Sequence, residues 1–191
     1  MGEYHLIEKW KRLGQKVLLD LRIMKVLEIE ASSARGIAPH PFYVFDTVDW
    51  INVLPITADG QVVFVRQYRH GSDEISLEIP GGMVDPGEEP AVAAARECLE
   101  ESGFRAEGLV SLGALRPNPA VFSNYLHTFV AHNVTEVGEI QNTATEETEL
   151  VLFDLEALPE LMLDGTIDHA LVVATIWRYF YAREHGLLSA S

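Results

Sequence analysis

Four glutamates and one arginine near the middle of this 191-residue chain have types and spacings that could do chemistry. Glu97, Glu100 and Glu101 follow Arg96 in a stretch that reads as a helix from Pro90 to Ser102. Proline stands at its first turn and Gly103 at the position of a C′ residue. With Glu97 at zero on a wheel of about 100° per residue, Glu100 falls near roughly −60° and Glu101 near roughly +40°. The three carboxylates share one face, and Ala91, Val92, Ala95, Cys98 and Leu99 cluster opposite, so an amphipathic helix with an acidic polar face is expected. Carboxylates crowded into a last turn repel one another and meet the negative end of the helix dipole, each contact costing some tenths of a kcal/mol. A divalent cation reverses that sign, because Mg²⁺ takes hard carboxylate oxygens and keeps positions for water and phosphate. From these three residues alone, a merely solvated acidic face stays open as the other reading.

The elements that must position this helix are mostly strands. Alternation around Ile23, Val26 and Ile29 marks a strand from Arg22 to Glu30; turn chemistry follows to Pro41, and β-rich composition resumes at Phe42. Two β-branched runs, Asp49 to Thr57 and Gln61 to Tyr68, flank Ala58-Asp59-Gly60, the sharpest hairpin signal in the chain. Ile75 to Ile79 is closed by Pro80-Gly81-Gly82, and a Pro/Gly-rich loop leads to the helix. Strands are expected near Val110 to Leu115, His127 to His132 and Leu150 to Leu155. Helices are expected at Ala157 to Leu163 and, with Asp168 as N-cap, on to Arg183, stopping at Gly186. This order implies an α+β fold, an α/β/α sandwich with a mixed sheet between helices, plus an N-terminal β-rich element.

Composition narrows the function. At 48% hydrophobic and 23% charged residues the chain is globular, and at its length it can bury about 70% of its unfolded surface. A formal charge of −15 argues against a nucleic-acid partner bound through a broad basic face, so an anionic substrate would need a metal or a few placed arginines. The single cysteine, Cys98, forms no intramolecular disulfide. No leader or membrane span is expected, and the cytoplasm is the default location.

From Gly82 there are five residues to Glu88, seven more to Arg96-Glu97, then apolar Cys98, Leu99, Glu100-Glu101, Ser102, Gly103 and apolar Phe104. This resembles the Nudix box, G-x5-E-x7-R-E-U-x-E-E-x-G-U, at every position, and an accidental match has a probability of about 10⁻⁶ over the chain. The resemblance implies hydrolysis of a nucleoside diphosphate linked to another moiety, with Mg²⁺ or Mn²⁺ neutralising the pyrophosphate while an activated water attacks one phosphorus. It also implies roles. The metal ligands would be the carbonyl of Gly81, Glu97 and Glu101, joined by Glu100 when more than one ion is bound. Gly82 would allow a tight turn from strand to loop, Glu88 and Arg96 would hold that loop on the helix, and Gly103 would end it.

Outside the box, Val65-Arg-Gln-Tyr-Arg69, Leu77-Glu-Ile-Pro-Gly-Gly82 and Arg116 to Asn124, with Pro119 fifteen residues after Phe104, resemble the ADP-ribose pyrophosphatase and nucleoside diphosphate-sugar branch. In that branch the water-activating base often lies in a late loop, which points here to Glu147, then Glu146, with Glu100 the next place to look. Arg69 is the expected phosphate contact. Arg66 comes second, because strand alternation would require a bulge to bring both to one site. Trp10, Tyr43, Phe45 and Trp50 are candidates for an aromatic face under the base, each with core or dimer packing as the alternative. The expected organisation is a dimerisation element at residues 1–45 and a hydrolase domain at 46–191, giving a homodimer. ADP-ribose, cleaved to AMP and ribose 5-phosphate, is the leading substrate. GDP-mannose or a broad set of nucleoside diphosphate sugars is the alternative, and a catalytically silent nucleotide sensor is the alternative of another class.

Overall fold

The computed structural model describes residues 7–142 and 147–188, and the chain divides into two compact units. The first comprises Met1–Val48 with Arg116–Asn124. Its sheet runs in the order β1 (Lys11–Asp20), β2 (Met24–Ser32), β3 (His40–Thr47), antiparallel throughout. β1 gives no period-2 signal because Gly14-Gln15-Lys16 interrupts its apolar residues, and register shifts at Arg12/Gly14 and Val17/Leu19 move its side chains between faces. The segment 116–124 returns to β3. The Phe45 N–H donates to the Val121 carbonyl at 2.7 Å, the Ser123 N–H to the Phe45 carbonyl at 3.1 Å, and the Ser123 hydroxyl to Asp46 at 2.8 Å.

In the second unit, the Asp59-Gly60 turn joins β4 (Trp50–Thr57) to β5 (Gln61–Arg69), with the Gly60 N–H on the Thr57 carbonyl. These strands pair only at Ile56↔Val62 and then diverge. Two later strands fill the wedge: β6 (Glu74–Glu78) pairs with β5, and β7 (Gly81–Met83) pairs with β4. After the helix α1 (Pro90–Ser102) come β8 (Phe104–Arg105), β9 (Val110–Leu115), β10 (Leu126–Glu136) and β11 (Thr148–Asp154). The sheet order is β11-β5-β4-β10-β8, with β9 on β10. The β10–β4 pairing is parallel and the others are antiparallel, which makes the expected mixed sheet.

Helices cover both faces. α1 buries Ala93, Ala94 and Cys98 on Ile51, Val53, Val63, Phe129 and Ala131. On the other face α2 (Leu158–Leu163) and α3 (Ala170–Glu184) bring Leu158, Val172, Ile176 and Tyr179 onto Leu54, Ile56, Phe64 and Val130. Each buried Leu, Ile or Phe contributes about 1.5–3 kcal/mol of transfer free energy. Among the described residues, no helix is long and apolar enough to cross a membrane.

Two local expectations are corrected. Only one edge of the apolar stripe of α1 faces the core: Cys98 is buried, but Val92 is 57% exposed and Ala91 is exposed, while Glu101 is 6% exposed. Small side chains at Ala93, Ala94 and Cys98 let the helix lie close to the sheet, and Glu101 turns inward because the Gly81 N–H donates to its carboxylate there. The N-cap of α3 is His169, with extended backbone, and not Asp168; no side chain caps this end.

Candidate active site

The site begins where β7 runs under α1. A Cβ on Gly82 would lie 2.3 Å from Oε1 and 2.5 Å from Cδ of Glu97, so glycine is required for the carboxylate to rest on the backbone. Gly82 thus serves a close approach within β7 and not the tight turn expected of it; its φ is not positive. One residue earlier, the Gly81 N–H donates to Glu101 Oε2 at 2.9 Å, and a Cβ on Gly81 would meet Asn52 Oδ1 at 2.5 Å on the opposite face. Gly103 closes the helix as expected, at φ +76° with its N–H on the Leu99 carbonyl, and the Gly138 carbonyl occupies the space of a Cβ.

Arg96 uses all five of its N–H donors. Nε and Nη2 clamp Glu88 at 3.1 and 3.0 Å, Nη1 reaches Glu97 at 2.8 Å and Glu100 at 3.2 Å, and Nη2 also donates to the Met83 carbonyl at 3.1 Å. The Arg96 hydrogen bonds, followed by the Asp85 N–H, hold the Glu88 carboxyl below the usual carboxylate range, and Arg96 is itself raised chiefly by Glu88. One guanidinium therefore ties loop to helix and neutralises two of the three clustered glutamates. Burial pushes the Cys98 thiol up to about 12, which leaves it an inert core residue.

The late loop is anchored at the acidic end of α1. The Gln141 N–H donates to the Glu100 carbonyl and the Thr148 hydroxyl to the Glu101 carbonyl, both at 2.8 Å. Asn142 Oδ1 accepts the Thr148 N–H, which draws together the two ends of the segment between them. Glu147, the residue before Thr148, is exposed; Glu146 lies outside the described residues.

Arg69 is held bidentately by Glu78, Nε to Oε1 at 2.7 Å and Nη2 to Oε2 at 2.8 Å, in the wedge three residues before Gly81. Burial pushes the Glu78 carboxyl up, but the Arg69 hydrogen bonds and charge, with His169 at 3.9 Å, outweigh it and leave the group lowered. Arg66 points to the other face and meets Glu149 at 3.4 Å; neither ladder of β5 shows a bulge there. Trp50 lies on the same strand face as Asn52, which bonds Thr175 of α3, so it is opposite the Glu97 carboxylate. In the N-terminal unit Trp10 packs edge-on to Phe42 at 5.2 Å, Phe45 packs on Phe122 at 5.4 Å, and Tyr43 and Pro119 are exposed. Sequence reasoning missed Glu78, whose role depends on strand register, and an Asp49–His127 pair at 2.9 Å between residues 78 apart, for which no local signal exists.

The NUDIX domain family model matches residues 48–175. The chain belongs to the Nudix family. One relative is the ADP-ribose pyrophosphatase of Bacillus subtilis (strain 168), 31% identical over 116 residues, 61% of this chain and 59% of that protein. The chain thus matches less than two thirds of that relative's length. Another is the methanol dehydrogenase activator of Bacillus methanolicus, 32% identical over 139 residues, 72% of this chain and 67% of that protein. A crystal structure of an ADP compounds hydrolase superposes with a TM-score of 0.82 at 23% identity, covering 94% of this chain and 97% of that one, a likeness of fold.

The donor set of this Nudix chain suits the hard divalent cation the family implies: carboxylate oxygens from Glu97, Glu100 and Glu101 beside the Gly81 backbone, without sulfur or imidazole. Among the described residues, no three such side chains converge into a ready-made cage. The carboxylates rest instead on Arg96 and the Gly81 N–H.

Proposed function

We propose that this Nudix protein is a cytoplasmic, Mg²⁺-dependent hydrolase of nucleoside diphosphate sugars, with ADP-ribose and water giving AMP and ribose 5-phosphate. The observation that carries the reading is the oxygen-only cluster of Glu97 and Glu101 seated on the backbone of Gly82 and Gly81. The chemistry supplied by bound Mg²⁺ or Mn²⁺ is neutralisation of the pyrophosphate oxygens. Glu97, Glu101 and the Gly81 carbonyl hold it, with Glu100 added for a further ion. Glu147, or Glu146 beside it, takes the proton of the attacking water, since carboxylates committed to metal are poor bases. Arg69, its fork oriented by Glu78, contacts a phosphate oxygen. The N-terminal sheet forms a homodimer through β1, a reading supported by the exposed Leu13, Val17, Leu19, Leu21 and Ile23 on and beside that strand.

The test is phosphatase-coupled phosphate release with Mg²⁺ from ADP-ribose, ADP-glucose, GDP-mannose and diadenosine polyphosphates. ADP-ribose is expected to be the best substrate. Preference for GDP-mannose would replace the substrate, and release from none of them would leave the silent nucleotide sensor.

A further inference from the structure

The Gly81 carbonyl, proposed as a metal ligand, belongs to a glycine, whose dihedrals are the least restrained of any residue, so its direction must be set by its surroundings. β4 sets part of it. The Val53 N–H donates to the Pro80 carbonyl at 3.0 Å and the Val84 N–H to the Asp49 carbonyl at 2.9 Å. Antiparallel alternation then gives β4 the polar groups of Gly82 and turns the N–H and carbonyl of Gly81 away from it. The N–H finds Glu101 at 2.9 Å, and the carbonyl leaves β7 on the same edge.

Asn52 acts from the α3 face. It pairs with Gly81 across the ladder, and its Oδ1 lies 2.5 Å from the place of a Cβ on Gly81, so the amide oxygen rests against that glycine. Its Nδ2 donates to Thr175 Oγ1 of α3 at 3.4 Å, and the Thr175 hydroxyl donates to the Leu171 carbonyl at 2.9 Å. A hydroxyl has one proton, here committed to Leu171, so the amide atom facing it is the donor Nδ2 and the atom facing Gly81 is the oxygen. Both side chains are buried, and every other residue from Ile51 to Ile56 is apolar. An aliphatic side chain at 52 would avoid desolvating an amide that makes one long hydrogen bond among the described residues. An amide kept at that cost points to a task other than packing.

We infer that Asn52, anchored to α3 through Thr175, is a positioning residue that holds the Gly81 carbonyl in the direction from which it serves a divalent cation. Asn52 touches neither metal nor substrate and acts through the Gly81 backbone, from the side of the sheet opposite Glu97. The inference rests on the metal assignment of the proposed function and adds to it a buried polar link between that ligand and α3.

The experiment titrates Mn²⁺ into the full chain without substrate and follows the free ion by electron paramagnetic resonance. Asn52→Leu, close in shape, is expected to weaken Mn²⁺ about tenfold, the low end of what residues orienting a metal ligand contribute. Thr175→Val, which keeps the shape and removes the acceptor, is expected to lose about threefold, the worth of one weak hydrogen bond. Thr175→Ser, which restores the hydroxyl, is expected to bind as the wild type does. The Thr175 pair serves as the assay should Asn52→Leu not fold. A residue that only packs would lower the melting temperature when replaced and leave the Mn²⁺ affinity of the folded protein unchanged. Wild-type affinity in Asn52→Leu and Thr175→Val, beside its loss in Glu101→Gln, therefore overturns the inference and leaves the proposed function standing. Wild-type protein that binds no Mn²⁺, or Glu101→Gln that binds it undiminished together with the other variants, overturns both.

Discussion

The segment from Gly81 to Gly103 and the strand β1 are the two extremes of this chain. In the first, charged groups are drawn inward and partnered: Glu101 on the Gly81 N–H, Glu97 on Gly82 and Arg96, and Glu88 and Glu100 on the same guanidinium. In β1 all ten residues are exposed, and apolar Leu13, Val17 and Leu19 stay in solvent while the backbone ladder to β2 holds the strand. At Gly81, Gly82 and Gly103 the first region has no room for an added Cβ; the second leaves apolar side chains uncovered. Close packing around charge is the setting of the proposed chemistry, and uncovered apolar surface is the setting of the proposed dimer.

The contrast can be broken from either side. Glu101→Gln should cut turnover on the order of 10³-fold, comparable to losing one preorganised charge stabiliser, while the melting temperature holds. Full activity of the wild type in excess EDTA would refute the metal assignment. Glu147→Gln should lower kcat by roughly 10²–10⁴ with little change in KM. If Glu146→Gln, Glu147→Gln and the double variant all turn over as the wild type does, the base must be sought at Glu100.

Smaller effects concern stability. Gly82→Ala forces its Cβ against the Glu97 carboxylate and should destabilise the fold by about 1–3 kcal/mol in denaturant titration, together with lost activity. An unchanged midpoint would show that Glu97 moves aside freely. Acid should act through Glu78, held below the ordinary Glu value of 4.5. The unfolded chain then takes up this proton at a higher pH than the native protein does. The stabilisation is therefore complete above that value and is lost as pH falls through the native one. Urea midpoints of Glu78→Gln should accordingly fall less steeply than wild type below pH about 4.5. Val17→Lys with Leu19→Lys should shift stability by no more than about 0.5 kcal/mol, yet convert a dimer in light scattering to the 21.3 kDa chain. A wild-type monomer with full activity would end the dimer proposal.

What the sequence determined by itself was local. The Asp59-Gly60 hairpin, the span of α1 and its stop at Gly103, and the pairing of Arg96 with Glu88 and Glu100 all follow from residues within a few turns of one another, where spacing fixes geometry. The family could be read for the same reason, since its pattern is confined to Gly82–Phe104. Which side of α1 faces the sheet was decided elsewhere. A wheel sets apolar against acidic, and only the β7 backbone, with the Gly81 N–H and the missing Cβ of Gly82, drew Glu101 and Glu97 inward. The wedge between β4 and β5, the clamp of Glu78 on Arg69, and the meeting of Asp49 with His127 depend on register across strands distant in sequence. A register shift of one residue reverses every side chain, so those partnerships exist only once the sheet has closed.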